Sequence, residues 1–168
     1  NVVEPGSGGV GRVALRGHVP MGYYGDEEKT KATFVTIDGH RHVILGDLGR
    51  PEADGTVSVL GRAAAMVNTG GEKVFPEEVE AAVKAHPDVY DVVVCGVPDP
   101  KYGERVAAVV QLREGATLDP DSLAEHTRTR VAGYKVPRVW VEVEEVLRSP
   151  SGKPDYPWAK KTAAASLA

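Results

Sequence analysis

Apolar residues are distributed differently in the two parts of the chain, and the later part shows the clearer pattern. Residues 89–97 and 106–112 are almost continuously apolar, as is typical of strands buried on both faces of a sheet. Val79, Ala82 and Val83 follow a proline and two glutamates, which predicts a helix that turns one apolar stripe toward a core. The pattern therefore predicts a central sheet with a helix packed against it.

Other segments of the later part complete this prediction. They are a hairpin at residues 66–75 that turns at Gly70-Gly71, a helix from the Asp119-Pro120 cap to a C′ residue at Gly133, a strand at residues 139–143, and a helix from Pro157 to about Ala165. From residue 61 onward the order of elements is ββαββαβα. This order predicts an α+β fold with helices flanking a sheet.

The first 60 residues have a different character, with short apolar segments separated by many turns. Asp26 precedes two glutamates, which predicts an N-cap and a short helix ending near Phe34. The dipeptides Asp38-Gly39 and Asp54-Gly55 predict two hairpin turns. We expect this mostly β region to be unable to close a hydrophobic core by itself.

Composition narrows the function classes. The net charge of −4 gives no reason to expect nucleic acid or an anionic membrane as a partner. One cysteine, Cys95, stands in an apolar run, so no disulfide forms within the chain, which fits a cytoplasmic protein. The histidines lack the spacing of metal ligands, and we assign no metal site. The sequence has no apolar stretch of about 18 residues for a membrane helix and no visible signal peptide, although it begins at Asn1 rather than Met.

Six short motifs occur in one order over most of the chain. They are Gly11-Arg12-Val13-Ala14-Leu15-Arg16-Gly17 with Gly22-Tyr23-Tyr24, Gly46-Asp47-Leu48-Gly49-Arg50, Gly61-Arg62, Gly70-Gly71-Glu72-Lys73-Val74-Phe75-Pro76-Glu77-Glu78-Val79-Glu80 with Gly96-Val97-Pro98-Asp99, Gly133-Tyr134-Lys135-Val136-Pro137, and Ser149-Pro150-Ser151-Gly152-Lys153. Together they resemble the adenylate-forming (AMP-binding) acyl-CoA synthetases. The resemblance implies that residues 1–60 are the last β-rich subdomain of a large N-terminal AMP-binding domain. It implies that residues 61–168 are the C-terminal lid domain, with a hinge around residues 62–65.

The resemblance also implies a reaction and its cofactors. In this family a carboxylate attacks the α-phosphate of ATP to give acyl-AMP, and coenzyme A then takes the acyl group. Lys153 matches the catalytic lysine, whose charge suits the meeting of two anions. Asp47 matches the aspartate that accepts hydrogen bonds from the nucleotide ribose, and Arg62 matches a nucleotide-binding arginine. Mg²⁺ would accompany ATP.

Further positions carry weaker implications of the same resemblance. Gly70, Gly71 and Glu72 match the loop that lines the coenzyme A tunnel. The hinge position, usually Asp or Lys, is Ala64 here. Many members have Thr where this sequence has Leu45, so two departures from the family pattern fall near the expected site.

Several alternatives stay open. The family's phosphate-binding loop does not occur in this sequence, so we expect the chain to be a fragment that is inactive alone. An adenylation domain serving a carrier protein would share the chemistry, although the Gly-Gly-Glu-Lys-Val-Phe-Pro string favours a coenzyme A ligase. A degenerate, non-catalytic lid that still binds nucleotide or coenzyme A is the alternative from another class. The strings at residues 72–76 and 156–160 resemble actinobacterial fatty-acid or sterol-side-chain ligases. The acyl substrate and any homo-oligomer remain undetermined by the sequence.

Overall fold

The computed structural model describes residues 2–167 and divides them into two compact units, with the boundary between Ala64 and Ala65. The first unit is one antiparallel sheet with a short helix. Its elements are β1 (Gly11–Arg16), α1 (Glu27–Thr33), β2 (Phe34–Ile37), β3 (His40–Pro51) and β4 (Val57–Arg62). The long strand β3 pairs with each of the other three. Every strand of this unit therefore depends on β3 for its hydrogen bonds.

The predicted turn and cap residues of the first unit are confirmed. Asp38 and Gly39 join β2 to β3 with φ values of 49° and 75°, the pair of positive angles that a two-residue hairpin requires. Asp26 caps α1, because its carboxylate accepts a hydrogen bond from the Lys29 amide at 2.9 Å. Between residues 2 and 64, Val43 is the only buried hydrophobic residue. The unit thus has regular strands but very little core.

The second unit has a five-stranded mixed sheet. Its elements are β5 (Val67–Thr69), β6 (Glu72–Val74), α2 (Pro76–Lys84), β7 (Val89–Asp99), β8 (Gly103–Leu112), α3 (Pro120–Arg128), a 3₁₀ turn (Gly133–Lys135), β9 (Val139–Glu142) and α4 (Tyr156–Ala165). β7 and β8 form a long antiparallel hairpin, and β9 pairs with β8 in parallel. This confirms the predicted α+β fold and its order of elements.

Side chains of the central hairpin alternate between two cores. Val92 and Val94 pack with α2 and α3 on one face, whereas Val93 and Cys95 pack with α4 on the other face. Because both faces are covered, residues 92–97 of β7 carry no charged or hydroxyl-bearing side chain, as expected for a strand buried on both sides. Each fully buried valine contributes about 1.5–3 kcal/mol relative to exposure.

The position of the end of α3 corrects one prediction. Gly133 is not the C′ residue of that helix, because α3 ends at Arg128 with Thr129 as its cap. The Thr129 hydroxyl donates to the carbonyl oxygen of His126 at 2.7 Å, which is one of the last four acceptors of the helix. Gly133 instead begins the 3₁₀ turn. The structure thus ends the helix with a threonine rather than with a glycine.

Two further properties bear on function. None of the helices between residues 2 and 167 has the length and apolar character that crossing a bilayer requires. Cys95 is fully buried in the second unit, and burial raises the pKa of its thiol to about 11. A buried, protonated thiol is unreactive, so Cys95 serves as a core residue, as predicted.

Candidate functional site

Asp47 and Arg62 lie side by side in the first unit. They occupy directly paired positions on β3 and β4, and Arg62 Nε lies 3.7 Å from Asp47 Oδ1. Arg62 Nη2 also donates to the Leu45 carbonyl oxygen at 2.8 Å. The side chains are 40% and 56% exposed, so water screens the pair and its net stabilisation is small. The strand register therefore presents a carboxylate and a guanidinium together toward solvent.

This pair offers complementary chemistry to a nucleotide. The two oxygens of Asp47 can accept hydrogen bonds from neighbouring hydroxyl groups, and the guanidinium of Arg62 can donate to a phosphate in a forked geometry. Leu45, one of the two departures from the family pattern, is exposed nearby on β3. Its carbonyl oxygen, rather than its side chain, makes the contact with Arg62.

Lys153 is exposed in a tight loop of the second unit, between β9 and α4. The backbone of this loop folds on itself: the Ser149 amide donates to the Lys153 carbonyl oxygen at 2.9 Å, and the Gly152 amide donates to the Ser149 carbonyl oxygen at 2.8 Å. The Lys153 amide donates to Ser149 Oγ at 3.1 Å. Between residues 2 and 167, no carboxylate lies within 4.0 Å of Lys153 Nζ. The loop therefore presents an ammonium group that has no ion-pair partner among these residues.

A partly buried ion pair connects this loop to the sheet. Arg148 and Asp91 form two hydrogen bonds, Nε to Oδ2 at 2.6 Å and Nη2 to Oδ1 at 2.8 Å. Burial raises the pKa of Asp91, but the hydrogen bonds from Arg148 and Lys84 outweigh that effect and lower it to about 2. Asp91 is therefore ionised at neutral pH. Sequence analysis missed this pair, although a charged residue inside the apolar run of β7 is itself a signal.

Glu80 of α2 is a second acid that sequence analysis did not single out as an ionisable group. Its Oε1 accepts a hydrogen bond from the Val94 amide at 2.9 Å. Burial nevertheless raises its pKa to about 7, with a contribution from nearby Glu77. Tyr156, the first residue of α4, also has a pKa raised by burial and by these two glutamates. Glu77, Glu80 and Tyr156 thus form a group of partly buried ionisable side chains that influence one another.

The Gly70-Gly71 turn joins β5 to β6 and leaves Glu72 exposed. Gly70 and Gly71 have φ values of 62° and 89°, which favour glycine. A Cβ at Gly70 would lie 3.1 Å from Tyr102 Cδ1, and the Gly70 amide donates to the Tyr102 carbonyl oxygen at 2.9 Å. The turn is therefore glycine-dependent and packed against the β7–β8 turn at Gly70, whereas a Cβ at Gly71 would meet no described atom within 4 Å.

The remaining predicted positions can be placed individually. Ala64 is exposed in the turn that follows β4, next to the boundary between the two units. Lys135 Nζ binds both oxygens of Glu78 at 2.9 and 2.6 Å, so this lysine is engaged within the second unit. Among residues 2–167, no group of three or more His, Cys, Asp or Glu side chains is placed to hold a metal ion.

Known proteins resemble this chain in sequence. Residues 78–153 match the family model of the AMP-binding enzyme C-terminal domain. The chain is 58% identical, over 95% of its length, to the medium/long-chain-fatty-acid–CoA/3-oxocholest-4-en-26-oate–CoA ligase of Mycolicibacterium smegmatis. It spans 29% of the length of that relative.

Solved structures show the same fold. The o-succinylbenzoate CoA synthetase of Bacillus subtilis, in complex with the acyl-adenylate intermediate OSB-AMP, has a TM-score of 0.84 and 28% identity over 94% of this chain and 31% of its own. ATP-bound MatB of Rhodopseudomonas palustris has a TM-score of 0.82 and 32% identity over 99% of this chain and 34% of its own. In each case the similarity extends over both units of the chain and over about a third of the larger protein.

Proposed function

We propose that the full-length protein is an ATP-dependent acyl-CoA ligase. The premise is that this chain belongs to the adenylate-forming enzymes and contains their C-terminal domain. The full-length protein would activate a carboxylic acid as acyl-AMP and transfer the acyl group to the thiol of coenzyme A. The name of the 58% identical relative supports a medium- or long-chain fatty acid, or a steroid side-chain acid, as the substrate. The chain alone would have no appreciable ligase activity.

The observation that carries this proposal is the presentation of Lys153. Adenylation brings a carboxylate against the α-phosphate of ATP, so the transition state needs positive charge where the two anions meet. Lys153 offers an exposed ammonium on a loop with a defined backbone, and no carboxylate between residues 2 and 167 forms an ion pair with it. The long lysine stem can reach both anions.

Nucleotide binding is assigned to Asp47 and Arg62. The Asp47 carboxylate would accept hydrogen bonds from the ribose hydroxyls, and Arg62 beside it would contact the phosphate or adenylate. Their pairing across β3 and β4 supports a shared ligand. Mg²⁺ would arrive with ATP and be held mainly by its phosphates, since the residues from 2 to 167 offer no cluster of metal ligands.

Coenzyme A binding is assigned to the Gly70-Gly71-Glu72 turn. Without side chains, the two glycines let a thin pantetheine chain approach the backbone closely. Ala64 is the proposed hinge between a domain of residues 1–60 and a lid of residues 61–168, where a change in φ and ψ would reorient the lid between the two half-reactions. We place the protein in the cytoplasm, where ATP and coenzyme A are present.

The test uses the full-length protein and separates the half-reactions. ATP–pyrophosphate exchange is measured over a panel of fatty and steroid side-chain acids, and thioester formation is measured from preformed acyl-AMP. Lys153→Ala should lower exchange by about 10²–10³-fold, the usual loss when one stabilising charge is removed from a transition state. Thioester formation should change far less.

Lys161→Ala is the matched control, because Lys161 is another exposed lysine of the same unit. Both half-reactions should be retained in this variant. Equal loss of both half-reactions in Lys153→Ala would contradict the assigned role. If the folded wild-type protein binds AMP but shows no exchange with any acid, the protein is a non-catalytic nucleotide-binding module instead.

A further inference from the structure

Arg148 joins the loop of Lys153 to the core through a single guanidinium group. Two of its nitrogens hold Asp91 in the forked arrangement described above. Its third nitrogen, Nη1, donates to the carbonyl oxygen of Gly152 at 3.1 Å. Gly152 immediately precedes Lys153, so one planar group links the backbone next to the lysine to a strand of the sheet.

The hydrogen bonds among Ser149, Gly152 and Lys153 do not make such a link. The bonds among Ser149, Gly152 and Lys153 lie within the loop, so they define its shape but not its position on the sheet. Arg148 connects the loop itself to the sheet, because Asp91 lies on β7 and is only 8% exposed. A guanidinium fork is rigid and directional, which suits it to fixing a position.

Asp91 is itself held from a second direction. Lys84, in the last turn of α2, places Nζ 2.9 Å from Asp91 Oδ1. This lysine binds the same carboxylate as Arg148 but makes no described contact with the loop. The carboxylate is therefore fixed between a helix and the loop. Lys84 and Arg148 both bind it, but only Arg148 also binds the loop, and this difference can be tested.

We propose that Arg148 is a positioning residue for Lys153 in the adenylation half-reaction, and that Asp91 orients Arg148 for this role. The inference rests on the proposed function of Lys153. Arg148 does not touch the reacting groups; it holds the backbone from which the catalytic ammonium reaches them. Small displacements of a reacting group cost rate steeply, so a loop free to move over the sheet would lower the rate of adenylation specifically.

The experiment compares Arg148→Lys with Lys84→Gln in the full-length protein. Arg148→Lys keeps a cation for Asp91 but cannot bind both carboxylate oxygens and Gly152 at once. We expect its pyrophosphate exchange to fall between about 10- and 100-fold in kcat, with KM for ATP and the acid nearly unchanged. Thioester formation from preformed acyl-AMP should remain near wild type. Lys84→Gln should leave both half-reactions intact.

Hydrogen exchange provides a readout that does not depend on activity. The amides of Ser149, Gly152 and Lys153 should exchange faster in Arg148→Lys and at the wild-type rate in Lys84→Gln. Equal loss of both half-reactions in Arg148→Lys, or unchanged loop exchange, would overturn the positioning role. Wild-type adenylation in Arg148→Lys, with adenylation lost in Lys153→Ala, would overturn this inference and leave the proposed function standing. Wild-type adenylation in Lys153→Ala would overturn both.

Discussion

The two units of the chain support their candidate site residues in opposite ways. In the first unit, strand register alone brings Asp47 and Arg62 together, on a sheet with one buried hydrophobic residue between positions 2 and 64. In the second unit, a partly buried ion pair joins the loop of Lys153 to a sheet that is packed on both faces. Backbone pairing of β3 with β4 thus positions Asp47 and Arg62, whereas the side chain of Arg148 links the loop of Lys153 to the sheet.

This difference indicates how each unit obtains its stability. The first unit leaves Leu15 and Val57 each 54% exposed and Val59 68% exposed, so it buries too little apolar surface to offset the loss of chain entropy. The chain spans 29% of the length of the Mycolicibacterium smegmatis relative. We therefore expect the strands of the first unit to be covered by the rest of the full-length protein. The second unit has its own core and needs no such cover.

The largest expected difference between the two units is in their ability to fold when they are separated. A segment of residues 65–168 should fold alone and unfold cooperatively, since it keeps both cores. A segment of residues 1–64 should show no cooperative transition. Circular dichroism during urea and thermal unfolding measures both. A cooperative transition in the 1–64 segment would contradict our explanation of its exposed strands.

The partly buried Glu80 should make the stability of the second unit depend on pH. The pKa of Glu80 in the folded state is about 7, above the ordinary value of 4.5. The folded state therefore keeps this proton up to a higher pH than the unfolded state does. Stability linked to this proton is therefore fully present below pH 4.5 and is lost as the pH rises through 7. The loss is on the order of 3 kcal/mol.

Glu80→Gln should remove this loss, because an amide can still accept the hydrogen bond of the Val94 amide but does not ionise. Urea unfolding of the 65–168 segment between pH 5 and pH 8 measures the effect. The variant should gain stability relative to wild type as the pH rises. Parallel pH profiles for the two proteins would show that Glu80 does not retain its proton in the folded state.

Removal of a helix N-cap should give the smallest of the expected differences in stability between the two units. Asp119 Oδ1 accepts from the Asp121 and Ser122 amides, both at 3.1 Å, and α3 buries part of its surface, whereas α1 contains no buried residue. Asp119→Ala should therefore lower the free energy of cooperative unfolding by about 1 kcal/mol. Asp26→Ala should instead fray α1 locally.

Urea unfolding followed by circular dichroism measures the first effect, and hydrogen exchange at the Lys29 amide measures the second. Asp119→Asn is the control, because asparagine is an equally good N-cap, and it should stay near wild type. A loss of about 1 kcal/mol from the cooperative transition in Asp26→Ala would mean that the two helices are equally integrated.

Local features of the fold were predictable because they depend on neighbouring residues. Asp38-Gly39 predicted a hairpin because both positions need positive φ, and Asp119 predicted a helix start because its carboxylate meets nearby amides. The continuous apolar runs predicted β7 and β8 because both faces of the hairpin are covered. These signals act over a few residues, which one sequence displays directly.

Long-range features were not predictable in the same way. Arg148 and Asp91 stand 57 residues apart, and no periodicity connects them. The end of α3 was missed because the helix ends at Thr129, whose φ is −72°, and not at a glycine with positive φ. Lys153, Asp47 and Arg62 were selected through family resemblance, since an exposed lysine or an acid in a turn carries no distinctive pattern alone. Their roles remain predictions.

The buried position of Cys95 has a practical consequence. It is the single cysteine of the chain, and its side chain lies between the sheet and α4. A thiol reagent added to the native protein can reach it only when that layer opens. The rate at which a thiol reagent labels this one sulfur atom in the chain therefore measures how often the layer between the sheet and α4 opens. No engineered probe is needed.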